Sequence, residues 1–87
     1  MAKAVQYRTV FSEEAAGFLL ALTKRRQRGG ANLARQLASN PFVVCDYVER
    51  DESGREISHL LVEDYVFAYW LDHASSEIRI LEIEDAS

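Results

Sequence analysis

The chain has 87 residues, 48% hydrophobic and 28% charged, with a formal net charge of −4 at pH 7. That apolar content excludes a disordered chain, and the length accommodates one small domain, 1–87, near the lower limit for a self-sufficient core. The acidic balance excludes a nucleic-acid footprint spread over the whole molecule.

The charge is unevenly placed. Residues 1–44 carry seven Lys/Arg against two acids, and residues 45–87 carry three Arg against twelve acids. Any nucleic acid would have to meet the basic first half. Cys45 is the only cysteine, so no internal disulfide is expected, which fits a reducing cytoplasm. Residues 1–10 contain Lys3 and Arg8 and lack the apolar core of a signal peptide. The expected location is therefore cytoplasmic, and no membrane contact is expected.

Val5 to Phe11 alternates and then runs apolar, which predicts a first strand. Ser12 is a helix N-cap, with Glu13 and Glu14 in the first turn where acids suit the helix dipole. Ala15, Phe18, Leu19 and Leu22 recur at helical spacing and make one apolar stripe. Lys24, Arg25, Arg26 and Arg28 are expected to close this helix, at the end where cations suit the dipole, and Gly29-Gly30 to break it. A second helix is predicted from about Ala31 to Ser39, burying Leu33, Ala34 and Leu37. Asn40-Pro41 stops it, because the residue before proline is pushed out of the helical region.

From Phe42 the period changes to that of strands. Val43–Arg50 and Arg55–Val62 flank a turn, Asp51 to Gly54, whose glycine suits a positive φ. Glu63-Asp64 turns again, an unfavourable pair for a two-residue hairpin. Tyr65 to Leu71 then runs seven residues without a charge. β-branched and aromatic content makes it a strand, and apolarity at every position places it mid-sheet. After a turn at Asp72–Ser76, the last strand is Glu77–Glu84. Its apolar positions shift parity between Ile80 and Leu81, which requires a bulge or two covered faces. The predicted class is α+β, in the order β-α-α-β-β-β-β, with a helical hairpin on one face of a mainly antiparallel sheet.

Three stretches in this order carry a resemblance. Tyr7 to Ala15 runs from a strand into "F-S-x-x-A". Leu37 to Pro41 matches an "L-x-x-N-P" helix end. Val62 to Asp72 with Ile78 to Leu81 parallels "V-G-D-Y-R-V-I-Y-x-I-D" followed by "I-x-I-L-x-I". Together they resemble the RelE/ParE superfamily of type II toxin–antitoxin toxins over nearly the whole chain. The resemblance implies a two-layer fold with sheet order 1-5-4-3-2. It also implies a cognate antitoxin protein as partner, and as target either the ribosome with its mRNA or, for ParE-type members, DNA gyrase.

Ribosome-dependent members of that superfamily cleave mRNA with the RNA 2′-hydroxyl as nucleophile, using basic residues on the concave sheet face. In this chain Val66 replaces the arginine of "D-Y-R", Glu84 and Asp85 stand where cations belong, and the family's lysines fall near Ile57 and His59. Cleavage is therefore expected to be reduced or lost. If it persists, the candidates are His59, Tyr65, Arg55 and Arg79, of which His59 is the one suited to proton transfer near neutral pH.

Ile57, His59, Val66, Ala68 and Trp70 are expected to share the concave face and make it apolar where active relatives are basic, with Ile57, Val66, Ala68 and Trp70 as its partner-binding residues. Such a face is covered by the protein's own loops, closes a homodimer through Trp70, or receives an apolar helix of the antitoxin. The basic run Lys24, Arg25, Arg26 and Arg28 is either a solvated helix end or a contact for an acidic antitoxin or rRNA. His73 is expected to be solvated in a turn, and Cys45 to be a small buried strand residue. Cys45, His59 and His73 do not have a metal-binding spacing, and no cofactor is expected.

Overall fold

The computed structural model describes residues 6–86, so Val5, the expected start of the first strand, lies outside the described residues. The elements are β1 (Arg8–Phe11), α1 (Glu13–Leu20), α2 (Lys24–Ser39), β2 (Tyr47–Arg50), β3 (Glu56–Val62), β4 (Tyr65–Asp72) and β5 (Glu77–Asp85). They form one five-stranded sheet in the order β1-β5-β4-β3-β2. Among the described residues only β1 and β5 pair in parallel. The uncharged run is thus the central strand, as its composition required. No helix among the described residues is long and apolar enough to cross a membrane.

Alternation along β4 turns Tyr65, Phe67 and Tyr69 toward the helices. There they join Ile78, Ile80 and Ile83 of β5, Ala15 of α1, and Leu33 and Leu37 of α2 in one buried cluster. Burial pushes the Tyr69 phenol up to about 12. The parity shift in β5 is resolved by a bulge: Ala68 pairs with Glu82 and Tyr69 with Ile80, leaving Leu81 as the extra residue. One additional residue re-aims Ile83 inward and leaves Glu82 and Glu84 on the opposite face.

The helices break elsewhere than the glycine pair predicts. Ser12 caps α1 as expected, its Oγ accepting from the Ala15 amide at 3.0 Å. The helix then ends at Leu20, and Thr23 caps α2 by accepting from the Arg26 amide at 3.3 Å. Gln27 donates its side-chain amide to the Leu20 and Leu22 carbonyls, satisfying groups freed at the end of α1. Gly29 and Gly30 therefore lie inside α2. Gly30 serves close approach of the helices, because a Cβ there would stand 2.7 Å from Cδ2 of Leu19. The basic run consequently opens α2 instead of closing α1, at the end of a helix where cations oppose the dipole.

The strand expected from Val43 begins only at Tyr47. Asp46 ends the ladder, its carboxylate accepting from the Leu61 amide at 2.7 Å. Cys45 accordingly sits half-buried in the loop before β2 and not within a strand. The two hairpin turns form as expected, Gly54 with φ +84° and Glu63 with φ +55° between paired Val62 and Tyr65.

Candidate functional site in the concave sheet face

The face of β4 turned away from the helices presents Val66, Ala68 and Trp70. Cross-strand pairing decides what surrounds them. Tyr47, His59, Ala68 and Glu82 form one row across four strands, and Leu61, Val66 and Glu84 form the next. Ile57, His59, Val66, Ala68 and Trp70 do share one face, as the sequence expected.

That face is not the apolar cleft the sequence suggested. Ile57 and Ala68 are buried, and Val66 and Trp70 are half-buried beneath polar neighbours. Tyr47, Glu49, His59, Glu82 and Glu84 ring a hollow of about 180 Å³ floored by Ala68. The reason lies in the partner strands. Tyr47 and Glu49 on β2, and Glu82 and Glu84 on β5, alternate onto this side and wall in the apolar floor.

His59 is held firmly. Its ring stacks on Tyr47 with centroids 4.3 Å apart and planes within 5°. Its Nε2 lies 2.7 Å from Glu49 Oε1 with the side chain only 14% exposed. The two atoms are close but not aligned as a hydrogen bond, so the contact is an ion pair whenever the ring is protonated. Across the hollow, the Glu82 carboxyl is pushed above the usual carboxylate range. A hydrogen bond with Glu84 is the largest cause, followed by partial burial and the Glu84 charge.

Beside this hollow lies a second grouping. The Arg55 guanidinium lies 3.9 Å from the centre of the Trp70 ring, and that of Arg79 lies 5.7 Å away. Arg79 also donates to Glu77 at 2.8 Å, and its Nε lies 3.4 Å from Asp72. The structure thus brings His59, Arg55 and Arg79 to one face, while both arginines are engaged with Trp70 and Arg79 also with acids.

Tyr65 does not join them. It faces the helices, buried, with its hydroxyl accepting from Arg26 Nε at 3.0 Å. Arg26 also reaches Asp85 at 3.2 Å, so it bolts the start of α2 to β4 and β5. Lys24, Arg25 and Arg28 are exposed and, among the described residues, form no ion pair. His73 is exposed as expected yet partnered, with the Tyr7 hydroxyl 2.7 Å from its Nδ1 and Phe42 stacked on its ring. No group of three or more His, Cys, Asp or Glu among the described residues is arranged to hold a metal ion.

The sequence reading missed Tyr47, Glu49 and Glu82 as site residues. Their signal was alternation: Glu82 and Glu84 flank the inward Ile83, and Tyr47 and Glu49 flank Val48.

No protein-family profile and no curated protein sequence matches this chain. Solved structures do. The chain superposes on one from the RelBE2 toxin–antitoxin complex of Mycobacterium tuberculosis with TM-score 0.79 and 22% identity, covering 100% of both chains. For the archaeal RelE–RelB complex of Pyrococcus horikoshii OT3 the TM-score is 0.70 at 18% identity, covering 94% of this chain and 97% of that one. For the intact E. coli RelBE complex it is 0.60 at 13% identity, covering 93% and 98%. Two helices on a five-stranded sheet of order 1-5-4-3-2 define an α+β fold of the RelE type. The chain has the RelE-like toxin fold.

Proposed function

We propose that this protein is the toxin component of a type II toxin–antitoxin pair, restrained by a cognate antitoxin protein, with mRNA-cleaving activity reduced or lost. The observation that carries the second half is the acid-lined hollow. A cleavage site must present cations to the charge that develops on phosphorus. Here Glu49, Glu82 and Glu84 face the space beside His59. One carboxylate about 4 Å from a phosphate oxygen costs on the order of 4 kcal/mol at an effective dielectric of about 20. The cations sharing the face, Arg55 and Arg79, are engaged with Trp70, and Arg79 with Asp72 and Glu77.

One observation favours a second reading, ribosome-dependent cleavage by a non-standard set: His59, Arg55 and Arg79 do occupy one face. A gyrase-directed toxin needs no such set. Homodimerisation through Trp70, the non-toxic alternative, must displace the arginines that cover its ring.

The test is cell-free translation with the purified protein, following total product and cleavage of ribosome-bound message by primer extension. Undiminished translation and uncut message are the expected result. Codon-positioned cuts that disappear in His59→Ala would establish the second reading. Toxicity in cells without cuts, relieved by a topoisomerase-resistant background, would point to gyrase.

A further inference from the structure

Both helices pack against one side of the sheet, so the concave side is the one left without a covering layer among the described residues. Its surface has two parts. At the centre, Glu49, Glu82 and Glu84 wall the hollow over Val66 and Ala68, and no Lys or Arg lines it. Beside it, apolar groups stand in the open. Tyr47 is 54% and Leu61 53% exposed, and both belong to the rows of paired residues that cross this face.

The chain's own arginines on this side are engaged elsewhere. Arg50, on the wall of the adjoining hollow, donates to the Gly54 carbonyl at 3.0 Å and to Glu56 at 3.3 Å. Arg55 and Arg79 lie against Trp70. Within the hollow only His59 can carry a positive charge. Its Nε2 lies 2.7 Å from Glu49, is enclosed, and has no aligned hydrogen-bond partner. The crowding of acids shows on Glu82, whose carboxyl is pushed up by the hydrogen bond with Glu84 first. Partial burial and the charges of Glu84 and Glu14 act in the same direction, and His59 acts against them.

We infer that the concave face binds a polypeptide segment that presents one basic side chain between apolar ones. The cation faces Glu49, Glu82 and Glu84, and the flanking apolar groups lie on Tyr47 and Leu61. The inference rests on the antitoxin-partnered reading above and deepens it, since the segment is the antitoxin's. Charge complementarity selects the cation, because the lining of the hollow itself brings three carboxylates to one space and sets no Lys or Arg against them. Val66 and Ala68 beneath them suit the alkyl stem of such a side chain. Exposed Tyr47 and Leu61 select a polypeptide over a free ion or polyamine, which would leave that apolar surface in water. A phosphate backbone would meet the same three carboxylates.

The test uses the full chain, isotope-labelled on backbone amides and methyl groups, and two synthetic peptides that differ at one position. Apolar residues flank that position, which holds arginine in one peptide and its neutral analogue citrulline in the other. Shifts should centre on Leu61, Val66 and Ala68. The arginine peptide should bind about tenfold tighter, the contribution of one charge-assisted hydrogen bond. Glu82 and Glu84 are exposed, so E82Q/E84Q changes charge with little demand on packing. It should lower the arginine peptide to the affinity of the citrulline peptide and leave the latter unchanged. E63Q/D64N, which removes two acids outside the hollow, should preserve the preference. Equal affinities for the two peptides, or a preference erased equally by E63Q/D64N, would overturn the inference. So would shifts centred on Leu37, Leu60 and Val62, shifts arising from self-association alone, or spermidine or magnesium ion bound as tightly as the arginine peptide. Binding of a single-stranded oligonucleotide with neither peptide bound would do the same. The two readings can fail separately. Arginine-peptide binding by a protein that leaves cells unharmed supports the site and removes the toxin. Toxicity neutralised by a partner whose affinity E82Q/E84Q leaves unchanged keeps the toxin and removes this contact.

Discussion

The Arg26 guanidinium donates to the Tyr65 hydroxyl at 3.0 Å and lies 5.4 Å from the centre of the same ring. This contact ties the start of α2 to the central strand and engages the Tyr65 hydroxyl on the helix side of the sheet, where alternation along β4 has placed it. The Arg26 pKa is raised by the hydrogen bond to Asp85 first and by the one to Tyr65 second.

Tyr65→Phe therefore separates two roles for this side chain. Removing the hydroxyl leaves Arg26 without one acceptor and should cost about 1 kcal/mol of stability, read as a lower urea midpoint at unchanged slope. Toxicity or cleavage, if present, should be unaffected in the folded variant. Lost activity at full stability would return Tyr65 to a catalytic role.

Glycines give opposite outcomes according to the backbone they occupy. Gly29 lies inside α2 with open space where a Cβ would go, so Gly29→Ala should stabilise by about 1 kcal/mol. Gly54 has φ +84°, and Gly54→Ala should destabilise by roughly 1 to 2 kcal/mol. Thermal unfolding of both variants checks this. Destabilisation by Gly29→Ala would mean that the pair breaks the helix after all.

These glycines mark where the sequence stopped being legible. Ser12 and the uncharged β4 run each act locally, so the first cap and the central strand could be read directly. The parity change in β5 left a bulge or two covered faces open until the register was known. A Gly-Gly pair has two physical uses, a turn or a close approach, and sequence alone favoured the turn. What decided otherwise was distant: Leu19 packing against Gly30, and Gln27 reaching back to Leu20 and Leu22. The concave site was half legible for a similar reason. Alternation placed Ile57, His59, Val66, Ala68 and Trp70 on one face. The acids that make it polar come from β2 and β5, whose registers a single strand does not reveal.

Glu82 supplies a pH dependence with a definite sign. Its folded pKa is raised above its ordinary value, chiefly by the hydrogen bond with Glu84. Its contribution to stability is thus full below the ordinary glutamate range and is lost as pH rises through the raised value. Glu82→Gln should stabilise the protein at neutral pH, by about 0.5 kcal/mol or less since the carboxyl is largely exposed and screened. The gain should shrink toward zero as pH falls below about 4.5. Asp51 acts oppositely. Its carboxyl is held low, by the Ser53 hydroxyl first, so its contribution is present at neutral pH and lost on acidification through that lowered value. Melting temperatures of the parent and both variants, Glu82→Gln and Asp51→Asn, across this range distinguish the two. A Glu82→Gln gain that persists unchanged at acidic pH would refute the raised Glu82 pKa and its hydrogen bond with Glu84.

If carboxylates are what bar RNA from the concave hollow, reversing them should admit it. In E82K/E84K the positions that flank His59 across the sheet become cationic, while Ile83 between them keeps its place in the core. Single-stranded RNA binding, undetectable for the parent at moderate salt, should appear. Each lysine that neutralises one phosphate contributes about 0.7 to the slope of log affinity against log salt, so two should give about 1.4. Filter binding across a salt series measures both quantities. Parent protein that already binds as tightly as E82K/E84K would mean the acids are no barrier. The proposed loss of cleavage would then lose its physical basis, and Lys24, Arg25 and Arg28 on α2 would become the first place to look for the RNA contact.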